Sequence, residues 1–193
     1  MLISIENLLT VPVMSLQTGA QLAETTAALV DPRQLTIAAF YVEGAGLEQS
    51  PSVLHPSDIR ELSDIGMIVD DATKLTSLDG LVRLQEIIDF GFELIDLKVI
   101  DENKRKLGKV SAYSVETVDY TIMQIYTEQS LIRSLGTAGN VIHRSQVISV
   151  NNDVLVVQSP TVREDNQEVA VDSSGVFVNP FRSGSAQPDN ISR

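Results

Sequence analysis

Two histidines, His55 and His143, each stand two residues ahead of a serine, in His55-Pro-Ser-Asp-Ile59 and His143-Arg-Ser-Gln-Val147. An imidazole can bind a metal ion or act as a general base, and a serine hydroxyl within its reach can become a nucleophile. A shared metal site requires the two rings to converge. Matching positions on two domains lie a domain width apart unless a symmetry axis passes close by. Each His also begins the run into a short apolar segment, where its ring is placed to bond a loop carbonyl. Ser57 and Ser145 are placed to cap the turn that follows. No nucleophile elbow or His–carboxylate relay accompanies them, so all four residues read as structural.

The carboxylates Asp58, Glu61, Asp64, Asp70, Asp71 and Asp79 cluster in one stretch. Acid–base hydrolysis needs one of a pair held at raised pKa in an enclosed cleft. These acids fall in polar segments and read as a solvated surface. There is no calcium-loop pattern and no Gly-rich phosphate loop followed by Lys-Ser/Thr. Cysteine is absent, which excludes disulfides and thiolate chemistry and is compatible with a reducing compartment. The expectation is therefore no catalytic residues, no metal and no cofactor.

One stretch asks for a partner. Gly175-Val-Phe-Val-Asn-Pro-Phe-Arg182 is an apolar, aromatic run inside a polar tail. It either packs back on the body as an edge strand or serves as a recognition motif bound by strand addition. In the second case Phe177, Asn179, Pro180, Phe181 and Arg182 are the candidate contacts, with the two phenylalanines as anchors.

Those residues have to be positioned by a fold, and the chain contains one twice. Residues 21–42 align without a gap on 106–127, with Leu22/Leu107, Ala27/Ala112, Val30/Val115, Thr36/Thr121, Ile37/Ile122 and Tyr41/Tyr126 identical. The two His-x-Ser blocks follow in the same order, and Met67-Ile-Val69 then matches Leu155-Val-Val157. Duplication is the reading. Short runs rich in Val, Ile, Thr and Tyr, bounded by Gly, Pro, Asp and Asn, predict strands near 12–18, 22–30, 35–43, 58–62 and 65–70. Their counterparts fall near 97–101, 107–115, 119–127, 146–150 and 153–158. Asp31-Pro32 and Glu116-Thr117 mark reversals between long strands, Asn151-Asn152-Asp153 a tight turn, and Glu102-Asn-Lys-Arg105 a charged one. Between the copies, Leu81, Leu84, Ile87 and Ile88 recur at helical spacing over 78–90. Ser77 or Asp79 is placed to cap that helix at its start and Gly91 to end it, and its apolar face is expected in the groove between the halves.

The order of these features resembles the PRC-barrel family, named for the cytoplasmic part of the photosynthetic reaction centre H subunit and shared by the C-terminal domain of the ribosome maturation factor RimM. The likeness is carried by a strand pair around a charged turn, Leu107-Gly-Lys-Val110, a long aromatic-containing strand, and Ile142-His-Arg-Ser-Gln-Val-Ile148 running into a short apolar strand. The first copy departs at Ala23, where the second has Gly108. The resemblance implies a mainly β chain of two tandem small antiparallel barrels, each around its own interior: repeat 1 over 1–71, a linker with an amphipathic helix over 72–91, repeat 2 over 92–160, and a polar tail over 161–193. It also implies an interaction or adaptor module rather than an enzyme, with photosynthetic electron transfer, ribosome assembly and cell division among the family's settings; a ribosomal or RNA-processing protein is a candidate partner. Small-ligand binding or support of electron transfer, as in the H subunit, is the alternative.

Charge and hydropathy bound the partners. At 193 residues, 43% hydrophobic, the chain can bury a sizeable core, and its formal charge of −12 opposes phosphate backbones. A basic protein partner is expected, with no direct nucleic-acid binding. No run approaches the length of a membrane helix, and Met1–Leu16 lacks a basic leader pattern, so a cytoplasmic protein is expected. The duplication makes it either a monomer with an internal pseudo-dimer or a homodimer.

Overall fold

The computed structural model describes residues 1–45, 47, 51–79, 81–128 and 139–159. The first repeat contributes β2 (Pro12–Ser15), β3 (Gln21–Asp31), β4 (Thr36–Glu43), β5 (Ser52–Leu54), β6 (Glu61–Ser63) and β7 (Gly66–Val69). The second contributes β9 (Lys98–Asp101), β10 (Lys106–Glu116), β11 (Ile122–Glu128), β12 (Val141–His143), β13 (Val147–Val150) and β14 (Val154–Val157). Beyond these matched strands lie β1 (Leu2–Ser4), β8 (Leu75–Ser77) and a helix, α1 (Val82–Phe90). Every expected strand has a counterpart here, and β1, β5, β8 and β12 are additional.

The chain is mainly β, and the two repeats share one topology. The first sheet runs β6-β7-β2-β3-β4-β5-β8, and the second β13-β14-β9-β10-β11-β12 with β1 added on β10. The expectation of purely antiparallel sheets is corrected: β7 lies parallel to β2, and β14 parallel to β9. After four antiparallel strands the chain leaves one edge of the sheet, crosses to the other, and inserts its last strand beside the first in the same direction.

That crossing forces curvature. Six strands laid flat put their outer edges about 24 Å apart, at about 4.8 Å per strand. The path from His143, the last residue of β12, to Val147, the first of β13, is a single 3-10 turn, which spans at most about 14 Å. The sheet has to curl to bring those edges so close. Neither sheet is closed into a barrel, however, because no ladder joins β5 to β6 or β12 to β13. The 3-10 turn occupies the place where closing hydrogen bonds would form.

The repeats meet around an axis that the alignment itself marks. Thr36 and Thr121, identical and equivalent, form an antiparallel bridge. On either side of it, Ile37 N donates to Tyr120 O at 3.0 Å and Ile122 N donates to Leu35 O at 2.8 Å. Ile37 is equivalent to Ile122 and Leu35 to Tyr120, so these two bonds are one bond repeated. This is the self-complementary contact of a two-fold dimer, here within a single chain. Leu35 and Tyr120 also share a left-handed backbone, with φ of 50° and 55°.

Expected separate interiors are corrected as well. One continuous cluster holds Leu8, Val13, Phe40, Leu54 and Met67 of the first repeat with Val99, Tyr113, Ile122, Ile125 and Leu155 of the second. The described residues fall within one compact unit. The segment leading into each repeat crosses to the other: β1 pairs with β10, while α1 lies on the face of β3, β4 and β5. Leu84, Ile87 and Ile88 pack there on Leu29, Ala39, Tyr41 and Val53. The helix therefore covers the first sheet instead of filling a groove between the halves. The reason lies in the side chains, since the equivalent positions on the second sheet include Ser114, Gln124 and Tyr126. There Ser114 Oγ donates to the Tyr126 hydroxyl, which donates to Gln124 Oε1 at 2.7 Å, and that polar network offers no oily seat.

At its start α1 has no side-chain cap; Ser77 Oγ instead accepts the Asp79 N–H at 3.1 Å in the preceding turn. At its end Gly91 takes φ 63° and its N–H bonds Ile88 O, as expected of a C-terminal glycine.

Candidate functional site

The His-x-Ser pairs cap turns, by a bond different from the expected one. His55 Nδ1 accepts the Ser57 N–H at 3.3 Å, and His143 Nδ1 accepts the Ser145 N–H at 3.2 Å. In each case the ring is the N-cap of the 3-10 turn, the role usually taken by Asp, Asn or Ser. The serine hydroxyl lies 2.8 Å from the same nitrogen in both copies. Accepting a backbone N–H at Nδ1 leaves the proton on Nε2. At His143 the cap is reciprocal, because Gln146 Oε1 accepts the His143 N–H at 2.8 Å.

The acidic stretch disperses. Asp58 pairs with Lys74 at 3.2 Å, Asp70 pairs with Arg60, and Asp71 caps the next 3-10 turn by accepting the Thr73 N–H. Glu61, Asp64 and Asp79 are exposed. Among the described residues no group of three or more His, Asp or Glu is placed to hold a metal ion. Phe177, Asn179, Pro180, Phe181 and Arg182 lie outside the described residues.

What the fold assembles instead is a cleft at the junction of the repeats, about 1230 Å³ in volume. It is lined by Leu81, Val82 and Arg83 at the start of α1, by the β3–β4 turn with the His55–Asp58 turn, and by the β10–β11 turn with Arg144. Val82 and Val118 are 71% and 85% exposed. Two valines held in water in a cleft are surface on which an apolar group can settle.

Charge in the cleft is unevenly matched. Asp31 accepts the Arg33 N–H at 2.9 Å, and Asp58 has Lys74. Asp119 accepts the Thr121 N–H at 3.0 Å; that bond, the Thr121 hydroxyl and the Arg144 charge hold its carboxyl below the ordinary range. Arg144 in turn donates to Leu35 O at 3.0 Å. By contrast, the guanidinium groups of Arg33 and Arg83 have no hydrogen-bond or ion-pair partner among the described residues. Arg33 and Arg83 carry no signal in the sequence, because one lies in a turn and the other on a helix face with no motif around it, while Arg144 is the middle residue of the second His-x-Ser block.

No protein-family model matches this chain, and no curated protein matches it. Among the described residues, no helix is long and apolar enough to cross a membrane.

Proposed function

We propose that this chain is a non-enzymatic adaptor of the cytoplasm, built from two PRC-type barrels, that holds a protein partner in the cleft at their junction. The observation that carries the reading is that the cleft exists only because both repeats line it. The helix and the β3–β4 turn come from one side, and Val118, Asp119 and Arg144 from the other. The barrel assignment draws support from the repeated strand order and from the curl that the 3-10 crossing imposes. The non-enzymatic reading draws support from the two His-x-Ser pairs, whose Nδ1 atoms are engaged in capping.

Small-ligand binding is the second reading, favoured by the convergence of arginines with Tyr120 on one cleft. Size weighs against it, since enclosed small-molecule pockets run to about 300–1,000 Å³ and this cleft is larger and open. The discriminating experiment is chemical cross-linking of the full chain in its native cell. A protein attached through α1 or the β10–β11 turn is the expected result. Recovery of no cross-linked protein, together with thermal stabilisation by a small molecule, would transfer the site to the second reading.

A further inference from the structure

A second cleft of about 460 Å³ adjoins the first, and the two share Arg33, Gln34 and Arg144. Its far side is apolar, formed by Val147, Ile148 and Val150 on β13, with Ile148 52% exposed. A track therefore runs from Val82 on α1, over the shared residues, to Ile148 on β13. Arg33 and Arg144 sit where the clefts join, Arg83 lies beside Val82 at the α1 end, and aliphatic groups stand at both ends.

We infer that this track is a groove for an extended peptide segment of the partner, carrying an acidic side chain flanked on both sides by apolar residues. The inference rests on the adaptor reading and names the chemistry of what the adaptor holds. The acidic member is selected locally. The carboxylates that line the cleft have partners within the fold, whereas Arg33 and Arg83 have none among the described residues. Arg144 is pinned by the Leu35 carbonyl and its charge already acts on Asp119, so Arg33 and Arg83 are the selecting groups. A guanidinium meets a carboxylate with two parallel hydrogen bonds, stronger than neutral ones.

The formal charge of −12 works in the opposite sense, but only at range. Field beyond about 8 Å is screened at physiological ionic strength, so the overall charge affects approach while the arginines decide what stays. The flanking apolar residues follow from the exposed valine and isoleucine at the ends of the track. A basic segment would place like charges together at its centre.

Selection of a random-peptide phage library on the immobilised full chain tests this. Enriched peptides are expected to carry Asp or Glu with aliphatic residues on both sides. A synthetic peptide of the enriched sequence is expected to bind the Arg33→Glu/Arg83→Glu chain about tenfold or more weakly than the wild type. The double charge reversal Lys98→Glu/Lys106→Glu, at two residues that line neither cleft, is expected to leave binding within about twofold. All four side chains are exposed, and matched melting temperatures would confirm folding. Absence of enrichment, enrichment of peptides without an acid, or equal binding by both double variants would overturn the groove. A partner cross-linked equally to the wild type and to Arg33→Glu/Arg83→Glu would also overturn it while leaving the adaptor reading in place. Acid-dependent peptides in the absence of any cellular partner would uphold the groove and remove the adaptor.

Discussion

The ring of Tyr120 meets the ring of Phe40 edge-on, with centroids 5.7 Å apart and planes at 77°. Phe40 lies at the centre of the first repeat's sheet and Tyr120 in the second repeat's turn. An aromatic of one copy thus closes the interior of the other.

Because that contact joins the two cores, the repeats are expected to unfold together. Urea unfolding followed by far-ultraviolet circular dichroism and tyrosine fluorescence should give one coincident transition. Tyr120→Ala should cost about 3–5 kcal/mol as the buried ring is lost. A double-mutant cycle of Phe40→Leu with Tyr120→Leu should give a coupling of about 0.5–1.5 kcal/mol. Two separate transitions would contradict the shared core.

The histidine caps predict a pattern of substitution that a metal or catalytic role would not produce. His143→Ala should destabilise by about 1 kcal/mol, and His143→Asn should recover most of it, since an amide oxygen can accept the same N–H. His55→Ala should behave alike, since the Gln146 bond at the second cap is made by the backbone N–H of residue 143 and survives the substitution. Denaturant midpoints at constant m-value would read this out. Equal damage from Asn and Ala would sink the capping account.

The placement of α1 on the first sheet predicts opposite outcomes for two aliphatic residues two positions apart. Leu84 is 8% exposed and Val82 is 71% exposed. Leu84→Ala should cost about 2–3 kcal/mol, and Val82→Ala should stay within about 0.5 kcal/mol. Thermal melts of the two variants suffice to compare them.

Asp101 predicts the acid limb of stability. Burial alone would raise its pKa. The Arg105 N–H at 2.8 Å, Arg105 Nε at 2.6 Å and the Ser159 hydroxyl at 3.0 Å outweigh that and hold the carboxyl below its ordinary value. A depressed folded pKa contributes stability that is whole above the unfolded value, near 3.9, and drains as pH falls through the folded one. Asp101→Asn should therefore be less stable than wild type at neutral pH, with the gap narrowing below about pH 4. Melting temperatures across that range would check the sign, and a gap that widens on acidification would refute it.

Much of the local structure was readable in advance. The duplication, both long hairpins, the Asn151 turn and the Gly91 stop rest on bonds within a few residues. Asn151 Oδ1, for example, accepts the N–H groups of Asp153 and Val154 at 2.9 Å each. The strands β5 and β12 escaped because three residues carry too little periodicity to register. The capping histidines were located, but the bond was inverted: a ring expected to donate to a carbonyl accepts an N–H instead. In the cleft, the candidate chemistry read from the sequence is His55, Ser57 and Asp58, whereas Arg33, Arg83 and Val118 carry no such signal.

By itself the sequence determined that this protein is two copies of one β unit, where each hairpin turns, and that the connector is amphipathic, because periodicity and turn chemistry act over a few residues. Tertiary structure alone decided which sheet the helix covers, that the copies meet at Thr36 and Thr121, and that Arg33, Arg83 and Arg144 line one cleft. Those outcomes compare surfaces distant along the chain. An apolar face at Leu29, Ala39 and Val53 wins the helix from a polar one at Ser114 and Gln124, and that contest is settled only once both sheets exist.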